Sequence, residues 1–110
     1  MKLPNGDRAI VDPQKIREYC LSTAHPRGRH KARVFASVLG LTIEHSADLC
    51  EALLSAARTE DAIPGEGDSY GQRYVLDFSL KGPRGTAKVR SSWIILTRED
   101  FPRLTSCYVL

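Results

Sequence analysis

The residues best suited to chemistry lie in one short stretch, His25 to Arg33, with the sequence HPRGRHKAR. It contains no acid, and its ionisable residues are His25, Arg27, Arg29, His30, Lys31 and Arg33. Like charges this close repel one another, so folding alone gives little reason to collect them. An anionic ligand is a simple reason, and histidine is the side chain that exchanges protons near neutral pH. The stretch therefore predicts an anion-binding site, and its imidazoles raise the question of proton-transfer chemistry.

The cationic stretch is followed by an apolar one, and a single helix would hold both. Val34 to Leu39 is mostly apolar and is followed by Gly40, a residue suited to the left-handed conformation that closes helices. The apolar residues recur at the spacing of one helical face. The pattern predicts a helix that begins within residues 27–30 and ends at Leu39. Its second half would lie in a core, and its cationic first half would lie at an edge.

Two further helices and a set of strands complete the predicted elements. Asp12 and Pro13 form a strong helix start, because an acid can cap the helix that proline begins, and this helix should run to about Leu21. A third helix, at about residues 47–58, should be capped by Ser46. Beyond it the apolar period changes from that of a helix to that of a strand. The predicted strands cover residues 73–81, 87–96 and 104–109.

Helices first and strands afterwards indicate an α+β fold in a single domain, residues 1–110. About three N-terminal helices should pack on one face of a three- to four-stranded antiparallel sheet. The proline and glycines of residues 62–71 predict a loop there. Residues 1–11 predict an arm, with an edge strand at residues 9–11.

The face of the sheet that turns away from the helices is predicted to carry charged and hydroxyl groups. Its residues would be Arg73, Asp77, Lys88, Arg90, Ser92, Arg103 and Thr105. Three strands would offer Arg73, Arg90 and Arg103 at comparable heights, and guanidinium groups bind phosphate oxygens bidentately. This surface therefore predicts binding to the backbone of a nucleic acid. The predicted nucleic-acid-binding residues are Arg27, Arg29, Arg33, Tyr70, Arg73, Tyr74, Lys88, Ser92 and Arg103.

The composition limits the classes of protein to which this chain can belong. The chain is 42% hydrophobic and 26% charged, with a formal net charge of +3, so it is globular and only mildly basic. No apolar run approaches the roughly 18 residues that span a bilayer, and the start MKLPNGDRAIV lacks the apolar region of a signal peptide. Cys20, Cys50 and Cys107 are widely spaced and odd in number, which favours reduced, mostly buried thiols and a cytoplasmic location. No metal site and no cofactor are expected.

A motif of the form HP-x-G-x-x-KA-x-x-F-x-x-x-LG spans residues 25–40. The other motif positions are Tyr70-Gly71, Tyr74-Val75, Gly82-Pro83, Trp93 and the ending Pro102-Arg103-Leu104 with Tyr108. On these residues the chain resembles a family of short, uncharacterised bacterial and archaeal domains. The likeness covers nearly the whole chain, and the family brings no function with it.

More distantly, the chain resembles the barnase–EndoU–colicin–RelE class of small ribonucleases in its order of helices followed by an antiparallel meander. Many toxin domains belong to this class. This resemblance implies cleavage of RNA without metal on the face of a small sheet. Because the sequence starts at Met1, no delivery region is expected. A free-standing toxin of a toxin–antitoxin pair, or an inactive relative, therefore fits better than an exported toxin.

Such cleavage needs a base for the 2′-hydroxyl group, an acid for the leaving oxygen and a cation beside the phosphate. Imidazoles would transfer protons, cations would meet the phosphate charge, and a hydroxyl would donate a hydrogen bond. The predicted catalytic residues are His25, His30, Lys31, Arg90 and Thr105. Tyr70 and Tyr74 would stack on bases or carry a proton. RNA is accordingly the predicted partner.

Simpler interpretations of the same residues stay open. His25, which precedes Pro26, could serve only as a helix-entry residue whose ring bonds the backbone. Arg90 or Arg73 could be paired with Asp77 instead of a ligand. The basic surface could also bind RNA without cleaving it, or bind an acidic protein such as an antitoxin or immunity partner.

Overall fold

The computed structural model describes residues 1–110. The helices are α1 (Pro13–Lys15, continued by a π-helical turn Ile16–Cys20), α2 (Arg29–Val34, continued by a π-helical turn Phe35–Leu39) and α3 (Ser46–Thr59). The strands are β1 (Ala62–Gly67), β2 (Gly71–Gly82), β3 (Gly85–Leu96) and β4 (Arg103–Val109). The strands form one antiparallel sheet in the order β1-β2-β3-β4, so the predicted α+β class is confirmed. None of the helices is both long and apolar enough to cross a membrane.

One face of the sheet packs against the helices and forms the core. Alternate residues of β2 and β3 point inward, as the period of two requires. Trp93 on β3 is fully buried, and its Nε1 donates to Ser91 Oγ at 2.9 Å. Ser91 in turn donates to the carbonyl oxygen of Leu76 at 2.8 Å. Every buried polar side-chain atom has a hydrogen-bond partner, so the core contains no orphaned polar group.

Helix α2 has the two halves that its sequence predicts. Phe35 and Leu39 are fully buried in the core, whereas Arg29 and Arg33 are exposed. Gly40 ends the helix with a φ of 73°, the left-handed conformation that glycine adopts without strain. The helix therefore fixes its cationic first half to the rigid sheet through the apolar second half.

Strand β1 occupies residues 62–67 of the predicted loop, so the prediction is wrong there, and only residues 68–70 connect β1 to β2. Ala62 and Ile63 pair with Leu76 and Val75 of β2, and the register shifts between Pro64 and Gly67. Because β1 is an edge strand, a proline there costs no hydrogen bond within the sheet. Only Ala62 is buried in β1, so the alternating pattern that normally identifies a strand is absent.

Two other local predictions need correction. Ile10 forms a single parallel bridge with Arg103 and not a strand. Ser46 does not cap α3, because a 3-10 turn, Ile43–His45, leads directly into that helix. The ring of His45 closes this turn instead, with Nδ1 accepting the backbone N–H of Thr42 at 3.1 Å.

Candidate functional site

The stretch from His25 to Arg33, called here the cationic segment, remains free of acidic partners in the folded chain. Arg27, Arg29, His30 and Arg33 are exposed, and Lys31 is half-buried. The structure has six ion pairs, and none includes a side chain of this segment. Its positive charges are therefore available to a ligand.

His25 is held by the backbone at the entry to α2. Its Nδ1 accepts the backbone N–H groups of Arg27 and Gly28, both at 3.1 Å. The ring also meets the Tyr19 ring edge-on, with 4.7 Å between centroids. A nitrogen that accepts two N–H groups carries no proton, so in the neutral ring the proton lies on Nε2. The geometry supports a helix-entry role, and it leaves Nε2 as a donor and not as a base.

Lys31 lies over the ring of Tyr108, with its Nζ atom 4.9 Å from the ring centroid. This distance is within the range of a cation–π contact. Tyr108 is on β4, directly opposite Arg90 of β3 in the sheet register. Two of the predicted catalytic cations, Lys31 and Arg90, are therefore brought together by a third residue, Tyr108. The sequence singled out Tyr108 only as a motif position.

Arg90 is paired with Asp77 through two hydrogen bonds of 2.9 Å, from Nε and Nη2 to the two carboxylate oxygens. These bonds hold the pKa of the Asp77 carboxyl below its usual value. The pKa of the Arg90 guanidinium is raised, chiefly by Asp77 and to a smaller extent by the nearby Tyr108 hydroxyl. Arg90 is therefore a fixed cation, and Asp77 does not use its Nη1.

The other two arginines of the sheet face are also paired. Arg73 Nε lies 3.4 Å from Asp68, and Arg103 makes two hydrogen bonds of 2.7 Å with Glu99. The hydrogen bonds of Arg103 lower the pKa of Glu99. Backbone N–H groups, led by that of Tyr70, lower the pKa of Asp68. This face thus carries charge pairs and not the open positive surface that the alternation of the strands predicts.

The register also changes the predicted grouping of these arginines. Arg73 and Arg103 flank Ile94 in one row across the sheet, whereas Arg90 pairs with Asp77 and Tyr108. Arg90 lies four residues from Ile94 along β3, roughly 13 Å at the rise of a strand. The three arginines are therefore not at one height, and only Arg90 lies near the Lys31–Tyr108 contact.

Thr105 and His25 meet at a cavity of about 450 Å³ between α1 and β4. The cavity is lined by Asp12, Gln14, Lys15, Glu18, Tyr19, His25 and Thr105. The Thr105 hydroxyl donates to the carbonyl oxygen of Ser92 at 3.0 Å, so its proton is used within the sheet. Thr105 is therefore not free to donate to a ligand in this arrangement.

The remaining predicted residues are spread over the molecule. Tyr74 is a core residue with 9% exposure, so its ring is not offered to a base. Tyr70 is 70% exposed at the β1–β2 hairpin, at the opposite end of β2 from the turn into β3. Lys88 is exposed two residues from Arg90 on β3, and Ser92 is half-buried two residues on the other side. These last two therefore share the sheet face of Arg90.

The cysteines lie apart from this chemistry. All three are free thiols, with Cys20 and Cys107 buried and Cys50 half-buried. Hydrogen bonding to Cys20, together with burial, raises the pKa of the Cys107 thiol well above its usual value. No three side chains among His, Cys, Asp and Glu form a group that could hold a metal ion.

Comparison with known proteins places the chain in a family. The chain belongs to the family described as "Domain of unknown function (DUF6883)", whose profile matches residues 2–110. Its fold is similar to that of a chain in a solved structure described as "Contact-dependent growth inhibition toxin - immunity protein complex from Klebsiella pneumoniae 342". That match has a TM-score of 0.71 and 17% identity, and it covers 92% of this chain and 99% of that chain. No curated protein matches the chain in sequence.

Proposed function

We propose that this protein is a metal-independent endoribonuclease of toxin type that acts on cellular RNA. The observation that carries the proposal is the cationic segment, whose charges have no acidic partners. One of its residues, Lys31, contacts the ring of Tyr108, which lies opposite Arg90 in the sheet. Three exposed arginines on one segment suit a chain of phosphates, because guanidinium binds phosphate oxygens in a bidentate manner. The segment would hold the RNA backbone, and the residues on β3 and β4 would meet one phosphate of it.

The rigidity of this arrangement favours catalysis over loose electrostatic attraction. Phe35 and Leu39 fix α2 to the sheet, and the carboxylate of Asp77 fixes the guanidinium of Arg90. Positioned cations stabilise the charge that develops on phosphate in the transition state. The fold shared with a chain of a toxin–immunity complex supports the toxin type, although the fold by itself is compatible with other activities.

The test is incubation of the purified protein with total RNA and with tRNA in excess EDTA. We expect cleavage products that end in a 2′,3′-cyclic phosphate. A Lys31→Gln/Arg90→Gln variant should lose this cleavage, whereas an Arg58→Gln/Arg98→Gln variant should retain it. Each variant loses two positive charges, and Arg58 and Arg98 are exposed residues that form no ion pair. Intact RNA after incubation with folded wild-type protein would contradict the proposal.

A second candidate function is a non-catalytic module that binds RNA or an acidic protein. Val34 and Val38, one helical turn apart on α2, are 39% and 41% exposed beside the cationic segment. Apolar side chains within a charged surface are typical of a protein interface. RNA that is bound but left intact would favour an RNA-binding module. A protein that binds no RNA even at low salt would favour an acidic partner, such as an antitoxin or immunity protein.

A further inference from the structure

Tyr108 has the most unusual surroundings of any hydroxyl-bearing residue near the cationic segment. One cation, Lys31, lies over its ring at 4.9 Å, and a second, Arg90, lies opposite it on the neighbouring strand. The ring is half-buried, so it is partly accessible to a ligand. The phenol therefore lies between two cations, where its hydroxyl can donate its proton to a bound anion.

The two cations beside Tyr108, Lys31 and Arg90, can each donate to an oxygen of a phosphate diester. The hydrogen bonds of Arg90 to Asp77 use Nε and Nη2, so Nη1 can meet a phosphate oxygen. Lys31 forms no ion pair, so its ammonium group can meet a second oxygen. A phosphate bound between the Lys31 ammonium and the Arg90 guanidinium would lie beside the Tyr108 hydroxyl.

We infer that Tyr108 is a catalytic residue of the proposed ribonuclease and that its hydroxyl contacts the scissile phosphate between Lys31 and Arg90. The inference rests on the proposed function and adds to it the group that transfers the proton. The proton-bearing alternatives that the sequence predicts are less well placed. His25 Nδ1 is occupied by two backbone N–H groups, and the Thr105 hydroxyl proton is bonded to Ser92. His30 is exposed, and no hydrogen bond positions its ring.

The step conserves atoms and charge. The 2′-oxygen of the ribose bonds to phosphorus as the bond between phosphorus and the 5′-oxygen breaks. The leaving 5′-oxygen takes the proton of the Tyr108 hydroxyl, and the phenolate is stabilised by Lys31 and Arg90. The proton of the 2′-hydroxyl passes to water, and water returns a proton to the phenolate. The products are a 2′,3′-cyclic phosphate and a free 5′-hydroxyl group.

The test compares full-length wild-type protein with Tyr108→Phe and with the control Tyr19→Phe. Phenylalanine keeps the ring that Lys31 contacts and removes only the hydroxyl. The control removes a hydroxyl from the ring that contacts His25. Three quantities are measured for each protein: the single-turnover cleavage rate in EDTA, the affinity for 2′-O-methyl RNA, which cannot be cleaved, and the midpoint of urea unfolding.

We expect Tyr108→Phe to lower the cleavage rate by about 100-fold or more, in the range of general acid catalysis. Its affinity for 2′-O-methyl RNA and its unfolding midpoint should equal those of the wild type, and Tyr19→Phe should cleave normally. Cleavage by Tyr108→Phe at the wild-type rate would overturn the role of Tyr108 and leave the proposed function standing. Intact RNA with the wild type itself would overturn both.

Discussion

The arginines of the sheet face and those of the cationic segment have the same side chain but opposite surroundings. Each of the three sheet arginines, Arg73, Arg90 and Arg103, is paired with a carboxylate. The cationic segment has Arg27, Arg29 and Arg33 within seven residues of one another, and none of them is paired. A count of positive residues alone treats the two regions as equal.

The difference teaches which charges the fold uses and which it leaves for a ligand. Arg90 and Asp77 form a cross-strand pair that stabilises the sheet, whereas Arg73 and Arg103 pair with acids in the connections that precede their strands. Unpaired arginines in one segment repel one another and give the fold nothing in return. Arg90 is a paired arginine, but it also lies beside Tyr108, whose ring Lys31 of the cationic segment contacts. Predictions that alter one region and spare the other test this division.

Gly28→Ala should have the largest effect, because it displaces the whole cationic segment. A Cβ atom at Gly28 would lie 2.4 Å from the backbone oxygen of Tyr19, which cannot move aside without shifting α1. We expect a loss of about 1–3 kcal/mol in the free energy of unfolding, as for other overpacked sites. Urea unfolding measures this loss. Gly65→Ala is the control, because its Cβ would have a nearest neighbour at an ordinary 3.5 Å.

Substitution of His25 should have an intermediate effect, and it separates a structural role from a catalytic one. His25→Ala removes the acceptor for two backbone N–H groups and should cost about 1 kcal/mol, as does the loss of a helix cap. His25→Asn keeps an acceptor at a similar position, so it should restore stability in urea unfolding and retain RNA cleavage. A stable but inactive Asn variant would show that the imidazole itself takes part in the chemistry.

The smallest effect should come from the charge pairs, and it should depend on pH. Because Arg90 lowers the pKa of Asp77 in the folded state, the pair contributes stability above the unfolded pKa of about 4. That contribution is lost as the pH falls through the folded pKa. In urea unfolding, Asp77→Asn should thus be slightly less stable than the wild type at pH 7, and the difference should shrink at pH 3. An Arg33→Gln variant, which breaks no pair, should show no such change with pH.

Much of the fold could be predicted from the sequence, because apolar spacing and capping residues act locally. The helix limits near Asp12 and Gly40 and the alternation of β2 and β3 are confirmed. Strand β1 could not be predicted, because it has one buried residue and its sheet pairing comes from residues on β2. A local pattern carries no information about a partner ten residues away.

The site was less predictable, because it depends on contacts between distant elements. The cationic segment could be identified from its composition, and its exposure is what the periodicity of α2 predicts. The pairing of Arg90 with Asp77 was open as an alternative, and only the register decided it. The contact of Lys31 with Tyr108 joins residues that are far apart in the chain, and no spacing in the sequence indicates it.

The central claim is that the unpaired cations of α2 and its entry turn are the RNA-binding charges of this protein. The most direct measurement is the salt dependence of affinity for single-stranded 2′-O-methyl RNA, which cannot be cleaved. The test variant is Arg27→Gln/Arg29→Gln/Arg33→Gln, and the charge-matched control is Arg58→Gln/Lys81→Gln/Arg98→Gln.

In a plot of log affinity against log salt concentration, each lost phosphate contact reduces the slope by about 0.7 for a single strand. The test variant should therefore lose about 2 units of slope, and the control should keep the slope of the wild type. Equal slopes for the two variants would mean that RNA responds only to total charge. That result would contradict a specific role for the cationic segment.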